Sequence, residues 1–340
     1  MTAKDTIILG IESSCDDTSA AVLKNGKILS NIVAGQKVHE NYGGVVPELA
    51  SRAHQQNIIP VVDQAIKEAG ISKEDLDGIA FTRGPGLLGS LLVGVSFAKS
   101  FGMALDIPLI EVNHMQGHVL AHFIDDESQK KPSFPFICLT VSGGHTQIVL
   151  IKSHFDMEII GQTIDDAAGE AFDKAAKLLS LPYPGGPLVD RHAKDGDPKK
   201  YPFPISNVPD FNFSFSGLKT SLLYFLKKEL ANDDKFIENN LADICASYQH
   251  TIIKSLFKKL IKACKKHGIS DVAIAGGVSA NSLLRSELER IGRQEKWNTY
   301  IPKFEFCTDN AAMIAIAGHF KFENSDFVGQ DIVPNARLKF

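Results

Sequence analysis

The pattern that most constrains the fold occurs twice along the chain. In each half, two short apolar runs flank a polar turn, and a later apolar run leads through glycines into a helix. The apolar runs lie at residues 7–11, 20–23 and 78–82 in the first half and at 137–141, 146–151 and 271–275 in the second. Apolar runs of this length bounded by turn residues predict buried strands. We therefore expect an α/β protein built from two similar halves.

A polar segment separates the halves. Residues 125–132 combine five acidic or basic side chains with Ser, Gln and Pro, a composition typical of a solvated linker. We predict one domain at residues 1–125 and a second at 134–340, with the last helix, about 310–322, allowed to return to the first domain. Proteins with two such halves usually bind their ligand between them.

Three glycine-rich turns are candidates for binding an anion. Ser142-Gly143-Gly144 and Gly276-Gly277 expose backbone N–H groups without a Cβ in the way, and a helix follows Gly277. The segment 84–90 has a similar makeup but ends in Ser90 without a lysine, so it is not a P-loop. Glycines at such places also simply permit tight turns. Three such turns in one chain favour a phosphate-bearing ligand, most simply a nucleotide.

Two histidines four residues apart indicate a metal site. His114 and His118 share one face of a predicted helix, where both imidazoles can reach one ion. A metalloprotease would place Glu directly after the first His, and here that residue is Met115. Asp309, just before an alanine-rich helix, is the natural third ligand, although it could also be a helix N-cap. Two surface histidines on a short helix remain the plain alternative.

Acidic side chains cluster at 165–173. Asp166, Glu170 and Asp173 are spaced to share one helix side, and Asp165 and Asp166 also suit a first helical turn. Asp173 lies deeper and could accept hydrogen bonds from ribose hydroxyls or a ligand amine. Pro184 to Pro187, with Asp190 after them, predict a rigid turn that opens another helix.

Charge and composition limit the partners. With 36 Lys+Arg against 40 Asp+Glu the net charge is −4, so RNA contact needs a local patch or a partner protein. Residues 245–270 contain no acid, and six lysines line one side of the helix predicted there, which is either a solvated face or a phosphate contact. The Pro- and Phe-rich segment 201–215 could stack on bases or form a local apolar cluster.

The cysteines and the apolar segments indicate the compartment. Five scattered cysteines without a Cys-x-x-Cys pair argue against a disulfide framework and for a reducing compartment. The apolar run at 7–11 is too short for a signal-peptide core, and residues 87–110 are interrupted by glycines, Lys99 and Asp106. We expect a cytoplasmic protein without a membrane segment.

Together these motifs resemble one family. The matching segments lie at residues 11–18, 43–48, 84–91, 114–118, 141–146, 165–174, 184–187, 213–219, 276–281 and 307–310. In this order they are similar to the bacterial TsaD family of tRNA threonylcarbamoyladenosine transferases, once called glycoproteases. The resemblance implies an actin/Hsp70/sugar-kinase-like fold, with two ribonuclease-H-like domains around an interdomain nucleotide cleft.

The resemblance also implies a reaction. The threonylcarbamoyl group of L-threonylcarbamoyl-AMP would pass to the exocyclic amine of adenosine 37 in tRNAs that read ANN codons, with release of AMP. The implied partners are tRNA and the proteins TsaB and TsaE, while TsaC-type enzymes would make the intermediate.

By position, the family's site residues carry over onto this sequence. His114, His118 and Asp309 would hold one divalent metal ion, Fe(2+) first and Zn(2+) as the alternative. The intermediate would lie against Thr140, Val141, Ser142, Gly143, Gly144, Asp173, Gly186, Asp190 and Asn281. Asp16 or His145 could accept the proton that the amine loses.

Three rival functions stay open from the sequence. A sugar- or acetate-kinase-like phosphotransferase would share the fold, turn over ATP and tolerate loss of His114. A metalloprotease would cleave peptides, which Met115 disfavours. A non-enzymatic assembly module would use nucleotide and metal only as a clamp.

Overall fold

A computed structural model describes residues 5–340 of the chain. Its strands are β1 Ile7–Glu12, β2 Thr18–Lys24, β3 Lys27–Ala34, β4 Gly78–Gly84, β5 Leu109–Asn113, β6 Phe136–Val141, β7 Thr146–Ile151, β8 Met157–Gln162, β9 Asp271–Ala275 and β10 Asn298–Tyr300. Its α-helices are α1 Pro47–Glu68, α2 Leu88–Leu105, α3 His114–Leu120, α4 Ala168–Leu178, α5 Gly185–Ala193, α6 Ser216–Leu230, α7 Phe236–His267, α8 Ser282–Glu295 and α9 Ala311–Glu323.

The chain divides into two compact units, one formed by Met1–Lys131 with Pro302–Phe340 and the other by Pro132–Ile301. The change from the first unit to the second falls in the predicted polar linker. The second unit ends at Ile301 and not at 340. The chain returns to the first unit at Pro302 and brings α9 with it, as the prediction allowed for the last helix.

Each unit contains one five-stranded sheet, and the two sheets share one plan. The orders are β3-β2-β1-β4-β5 and β8-β7-β6-β9-β10. In both, the unit's first strand pairs antiparallel with its second, and the second pairs antiparallel with its third. The fourth strand pairs parallel with the first, and the fifth pairs parallel with the fourth. The predicted repeat is therefore confirmed as a repeat of topology, and it is the arrangement of a ribonuclease-H-like sheet.

Turn chemistry sets the register of the first hairpin. Asn25 and Gly26 both have positive φ, 50° and 83°, as a type I′ turn requires, and Lys24 pairs with Lys27 across it. On its other edge β2 pairs with β1, with Ile8 opposite Leu23. Both residues are fully buried.

Helices cover both faces of the first sheet. Helices α1 and α2 pack on one face and α9 on the other. Helix α9 is apolar all round and almost completely buried from Ala311 to His319. It comes very close to β1, since a Cβ on Gly10 would lie 2.5 Å from the carbonyl oxygen of Ala311.

Helix α2 is the one described helix that is long and apolar enough to cross a membrane by length and composition. It packs against α1 and β4, with Leu91, Val95 and Ala98 buried. This packing is that of a sheet-covering helix in an α/β unit.

The core of the second unit lies between its sheet and helices α4 to α8. Ile137, Leu139 and Val141 of β6 alternate toward this core, as expected for one face of a strand. The aromatic side chains of residues 201–215 belong to the same core: Phe203, Phe211, Phe213 and Phe215 are buried. The idea that they stack on bases is therefore wrong, because their faces are packed against their own unit.

Candidate metal centre and ligand-binding turns

Helix α3 places two imidazoles side by side at the end of β5. Asn113 caps the helix, with its Oδ1 accepting hydrogen bonds from the N–H groups of Met115 (2.9 Å) and Gln116 (3.3 Å). His114 and His118 are both buried, and their ring centroids are 4.7 Å apart in an edge-to-face arrangement. The i, i+4 spacing thus brings the two rings together as predicted.

Asp309 reaches the same point from the start of α9. Its Oδ1 lies 3.5 Å from Nε2 of His114 and 3.3 Å from Nε2 of His118. One ligand atom from each of the three side chains lies within 4.8 Å of the other two. Asp309 is not the helix cap, because Asn310 takes that position and accepts from the N–H of Met313 (3.1 Å).

The approach of α9 to the histidines depends on two further contacts. The Ala311 N–H donates to Oγ of Ser19 on β2 (2.8 Å), which fixes the first turn of α9. Gly117 lies between the two histidines, where a Cβ would come within 3.0 Å of Ile314. Small residues at this crossing let the two helices meet closely enough for the carboxylate to face both rings.

A buried carboxylate that was not predicted from the sequence completes the cluster. Glu12 is fully buried, and its Oε2 accepts hydrogen bonds from Oγ1 of Thr82 (2.6 Å) and from Nδ1 of His114 (3.0 Å). The topology of the sheet, and not a local sequence pattern, places Glu12 there. Glu12, Thr82 and His114 lie at or next to the carboxyl ends of β1, β4 and β5, and these three strands are parallel neighbours.

The carboxylates and the imidazoles shift each other's pKa values. Burial by itself would lower the pKa of His114, but Asp309 and Glu12 outweigh it and hold that pKa well above its usual range. Burial lowers the pKa of His118, with Asp309 opposing. For Asp309 and Glu12, burial would raise the pKa, yet the His114 charge keeps both carboxyls below their ordinary values.

The residues fit a divalent transition metal. Both ring nitrogens of His118 are buried and neither makes a well-formed hydrogen bond within residues 5–340, which is costly for a polar group unless something binds it. Two imidazoles with one carboxylate are a donor set that zinc and iron sites use, and three protein ligands leave an open position. The set is compatible with either metal.

The loop after β1 lies beside this cluster. The Cys15 carbonyl accepts from Oγ of Ser90 (3.0 Å) and faces Nε2 of His54 (3.0 Å), so the loop is fixed from two helices. Asp16 is half-buried there. Burial, Asp16, Asp309 and Glu12 together raise the pKa of Asp17 to about 7.

The turn between β6 and β7 is open to solvent at its glycines. Thr140 and Val141 end the strand as buried residues, while Gly143 and Gly144 are exposed, and a Cβ on either would meet no atom within 4 Å. Ser142 closes the turn: its N–H donates to the His145 carbonyl (2.8 Å), and its Oγ accepts from the His145 N–H (3.1 Å). The N–H groups of Gly143 and Gly144 take no part in these two bonds.

Asp173 organises a second part of the same unit. Its Oδ1 accepts hydrogen bonds from the N–H groups of Gly185 (2.9 Å) and Gly186 (3.2 Å) at the start of α5. Burial raises the pKa of Asp173, and those two N–H groups oppose the rise. Helix α4, which carries Asp173, also touches the β6–β7 turn, because the Gly169 N–H donates to the Ser142 carbonyl (3.2 Å).

Asp190 and Asn281 meet at the start of α8. Asn281 caps this helix by accepting from the Leu284 N–H (3.0 Å), and its amide donates to Oε1 of Gln249 (2.8 Å). The Asp190 carboxylate accepts two hydrogen bonds from Ser282, the residue after Asn281. One comes from the Ser282 N–H (3.1 Å) and one from the Ser282 hydroxyl (2.7 Å). The two side chains therefore bind the N–H groups of Ser282 and Leu284 in the first turn of α8.

Three other expectations from the sequence are corrected. Asp165 does not belong to α4: it caps α6, accepting from Ser214, Phe215 and Ser216. Asp166 and Glu170 do not join Asp173 but share an ion pair with Lys174. The 84–90 turn is not open to an anion at Gly86, whose N–H donates to the Ala336 carbonyl (3.2 Å).

Comparison with known proteins shows the family to which this chain belongs. The family model described as "TsaD: tRNA N6-adenosine threonylcarbamoyltransferase" matches residues 27–316. A protein of that name from Christiangramia forsetii is 63% identical over 333 residues, covering 98% of each chain. Another from Porphyromonas gingivalis is 60% identical over 337 residues, covering 98% of this chain and 99% of the relative.

Solved structures show the fold. Full-length HypF superimposes with a TM-score of 0.60 at 14% identity, covering 95% of this chain and 47% of that one. The ROK hexokinase of Thermus thermophilus gives a TM-score of 0.51 at 15% identity, covering 94% of this chain and all of that one. The actin/sugar-kinase-like α/β fold expected from the sequence is thereby confirmed.

Proposed function

Because the chain belongs to the TsaD family of tRNA N6-adenosine threonylcarbamoyltransferases, we propose that it takes the threonylcarbamoyl group from L-threonylcarbamoyl-AMP. The acceptor is the exocyclic amine of adenosine 37 in tRNAs that read ANN codons, and AMP is released. The observation that carries this proposal from the family to a mechanism is the convergence of His114, His118 and Asp309.

The reaction is an acyl transfer. The amine lone pair attacks the carbamoyl carbon, the bond from that carbon to the AMP phosphate oxygen breaks, and its electron pair leaves with AMP. Negative charge grows on the carbamoyl oxygen and on the departing phosphate, and the amine loses one proton. The site must therefore supply positive charge or N–H donors at two places and an acceptor for one proton.

The first unit would supply the positive charge. His114 and His118 through Nε2, with Asp309 through Oδ1, would hold one divalent ion, and Fe(2+) is our first choice over Zn(2+). Such an ion when bound polarises an oxygen as a Lewis acid. The chain's own part is to keep three ligand atoms within 4.8 Å of one another on buried elements, so that little reorganisation is needed.

The second unit would bind the intermediate. The residues we assign to this role are Thr140, Val141, Ser142, Gly143, Gly144, Asp173, Gly186, Asp190 and Asn281. The exposed Gly143 and Gly144 N–H groups suit a phosphate, and the side chains of Asp173 and Asn281 suit polar groups of the nucleoside or the threonyl moiety. For the amine's proton, Asp16 and His145 remain the two candidate acceptors.

The partners and the compartment are part of the same proposal. A chain with net charge −4 gains from partners that add RNA affinity, and we propose TsaB and TsaE in this role, in the cytoplasm. Exposed lysines on α7 would add a local contact to the tRNA backbone.

The direct test combines the purified chain with L-threonylcarbamoyl-AMP and unmodified tRNA, with and without the two partners. We expect the modified nucleoside by mass spectrometry with wild type and its loss with His114→Ala. Product formed equally by that variant would contradict a catalytic metal and leave the clamp function. ATP turnover on a small acceptor would instead support the phosphotransferase, and peptide cleavage the protease.

A further inference from the structure

Glu12 is a carboxylate in the least accessible part of the first unit. It ends β1 with none of its surface exposed, whereas most acidic side chains of the described chain lie at the surface. A buried carboxylate is costly unless hydrogen bonds and opposite charge compensate it. Its neighbours therefore indicate what keeps it there.

Three donors converge on this carboxylate. Oε1 accepts from the backbone N–H of Ser14, and Oε2 accepts from the Thr82 hydroxyl (2.6 Å) and from Nδ1 of His114 (3.0 Å). The Ser14 hydroxyl also lies 3.2 Å from the same Nδ1. The carboxylate is thus fixed by the loop after β1 and by β4, and it bonds directly to the first imidazole of α3.

This arrangement sets the tautomer of His114 in its neutral, metal-binding form. A carboxylate oxygen accepts, so Nδ1 carries the proton and the Nε2 lone pair lies on the side of Asp309. His118 has no such partner on its Nδ1 within the described residues. The two imidazoles are therefore unequal: Asp309 faces Nε2 of both, but of the two, only His114 has a carboxylate at its Nδ1 within the described residues.

The formal charges also favour Glu12 as a partner of the metal ligand His114. A divalent ion held by two neutral imidazoles and the Asp309 carboxylate leaves one positive charge in a buried place. Glu12, one hydrogen bond beyond His114, brings the group to neutrality. Carboxylate–imidazole–metal arrangements of this type raise the basicity of the ligand and fix its ring.

We propose that Glu12 is a positioning residue that orients His114 for metal binding, with Thr82 and Ser14 holding its carboxylate. The proposal deepens the proposed function, since it rests on the metal centre of that function. It does not depend on the tRNA reaction, however, because its consequence is metal affinity and can be measured on the isolated chain.

The test is titration of the metal-free full chain with Co(2+), followed by its visible absorption. Glu12→Gln presents one N–H₂ group where all three neighbours are donors, so at least one hydrogen bond fails. We expect Co(2+) affinity to fall by roughly 10- to 100-fold. Thr82→Val keeps the side-chain volume and removes one donor, and a smaller loss of roughly two- to tenfold is expected.

Glu111→Gln is the matched control. Glu111 lies on the neighbouring strand β5 and pairs with Arg83 (2.6 Å) instead of an imidazole, so its variant should keep wild-type affinity. A second readout is the ¹⁵N chemical shift of His114 Nδ1–H in the zinc-loaded protein, where the ion on Nε2 keeps the proton on Nδ1. The shift should report a strong hydrogen bond to a carboxylate in wild type and a weaker hydrogen bond in Glu12→Gln.

The outcomes separate the alternatives. Equal affinity in wild type and in both Glu12→Gln and Thr82→Val overturns the proposal, and so does an equal loss in the Glu111→Gln control. Should Glu12→Gln fail to fold, Thr82→Val decides alone. Weak metal binding with normal tRNA modification would support Glu12 and contradict the catalytic metal instead.

Discussion

Three acidic side chains lie near His114: Glu12, which is buried, and Asp17 and Asp309, which are half-buried. Glu12 and Asp309 face His114, and Asp17 lies near enough for both carboxylates to affect it. Like charges at short range in a poorly solvated place raise the pKa of the weakest acid among them. An added divalent cation would relieve this repulsion, which is a further reason to expect one.

The ionisation of Asp17 makes this repulsion measurable as a change of stability with pH. Its pKa is about 7 in the folded chain against 3.8 as the ordinary value, so folding takes up a proton between these values. Its contribution to stability is therefore present below about pH 4 and lost as pH rises through about 7. Asp17→Asn has no such loss. In EDTA we expect this variant to gain on wild type by roughly 2–4 °C in Tm at pH 8.5.

The control for Asp17→Asn is the same comparison at about pH 4, near the ordinary pKa of the carboxyl, where the folded wild type carries a neutral Asp17 and most of the gain should vanish. A Tm difference independent of pH would mean that packing, not charge, determines the effect.

At the scale of elements, α9 determines whether Asp309 can reach the histidines. Its first turn presses on Gly10 of β1, and a methyl group there would also come within 2.8 Å of Ala315. The added methyl group would meet only backbone atoms and an alanine Cβ of the buried helix. No flexible side chain can move aside there, so the helix itself must shift.

We therefore expect Gly10→Ala to cost about 1–3 kcal/mol of unfolding free energy. Since the helix carries Asp309, the variant should also bind Co(2+) more weakly than wild type. Chemical unfolding and metal titration measure the two effects. Gly217→Ala, whose Cβ would meet only Ser206 at 3.9 Å, is the control. It should lower neither quantity, and alanine in place of glycine in α6 adds up to about 1 kcal/mol of stability.

Helix α7 shows both what the sequence could predict and what it could not. Lys254, Lys258, Lys262 and Lys266 recur every fourth residue as one exposed stripe and form no ion pair within residues 5–340. Two others of the run differ. Lys259 is buried and donates to the carbonyls of Val208 (2.6 Å) and Asp210 (3.0 Å), and Lys265 pairs with Glu295 (2.8 Å).

We predict that the double variant Lys258→Glu, Lys262→Glu binds tRNA more weakly at low salt. The slope of log Kd against log salt should fall by about two, because each phosphate contact contributes about one. Lys227→Glu, Lys228→Glu on α6 makes the same change of net charge and should leave the slope unaltered. Binding unchanged in both variants would assign the stripe to a solvated face.

At the scale of the whole molecule, elements that occur in both halves were easier to predict from the sequence than elements that occur once. The repeated strands, the helix after β4 and the His114–His118 pair follow from apolar periodicity and spacing, and Asp309 was predicted as the third ligand from its place just before an alanine-rich helix. Glu12 could not be found this way, because only the parallel pairing of β1, β4 and β5 brings it to His114. The role of Asp165 was missed for a similar reason, since the helix it caps starts at Ser216, well beyond the end of α4.

The account depends most on one ion bound by three side chains from distant parts of one unit. The most direct measurement is metal content per chain after anaerobic reconstitution with Fe(2+) and removal of the excess, for wild type and Asp309→Ala. We predict about one ion per wild-type chain and almost none for the variant. Equal iron in both, or none in either with Zn(2+) also excluded, would contradict the account.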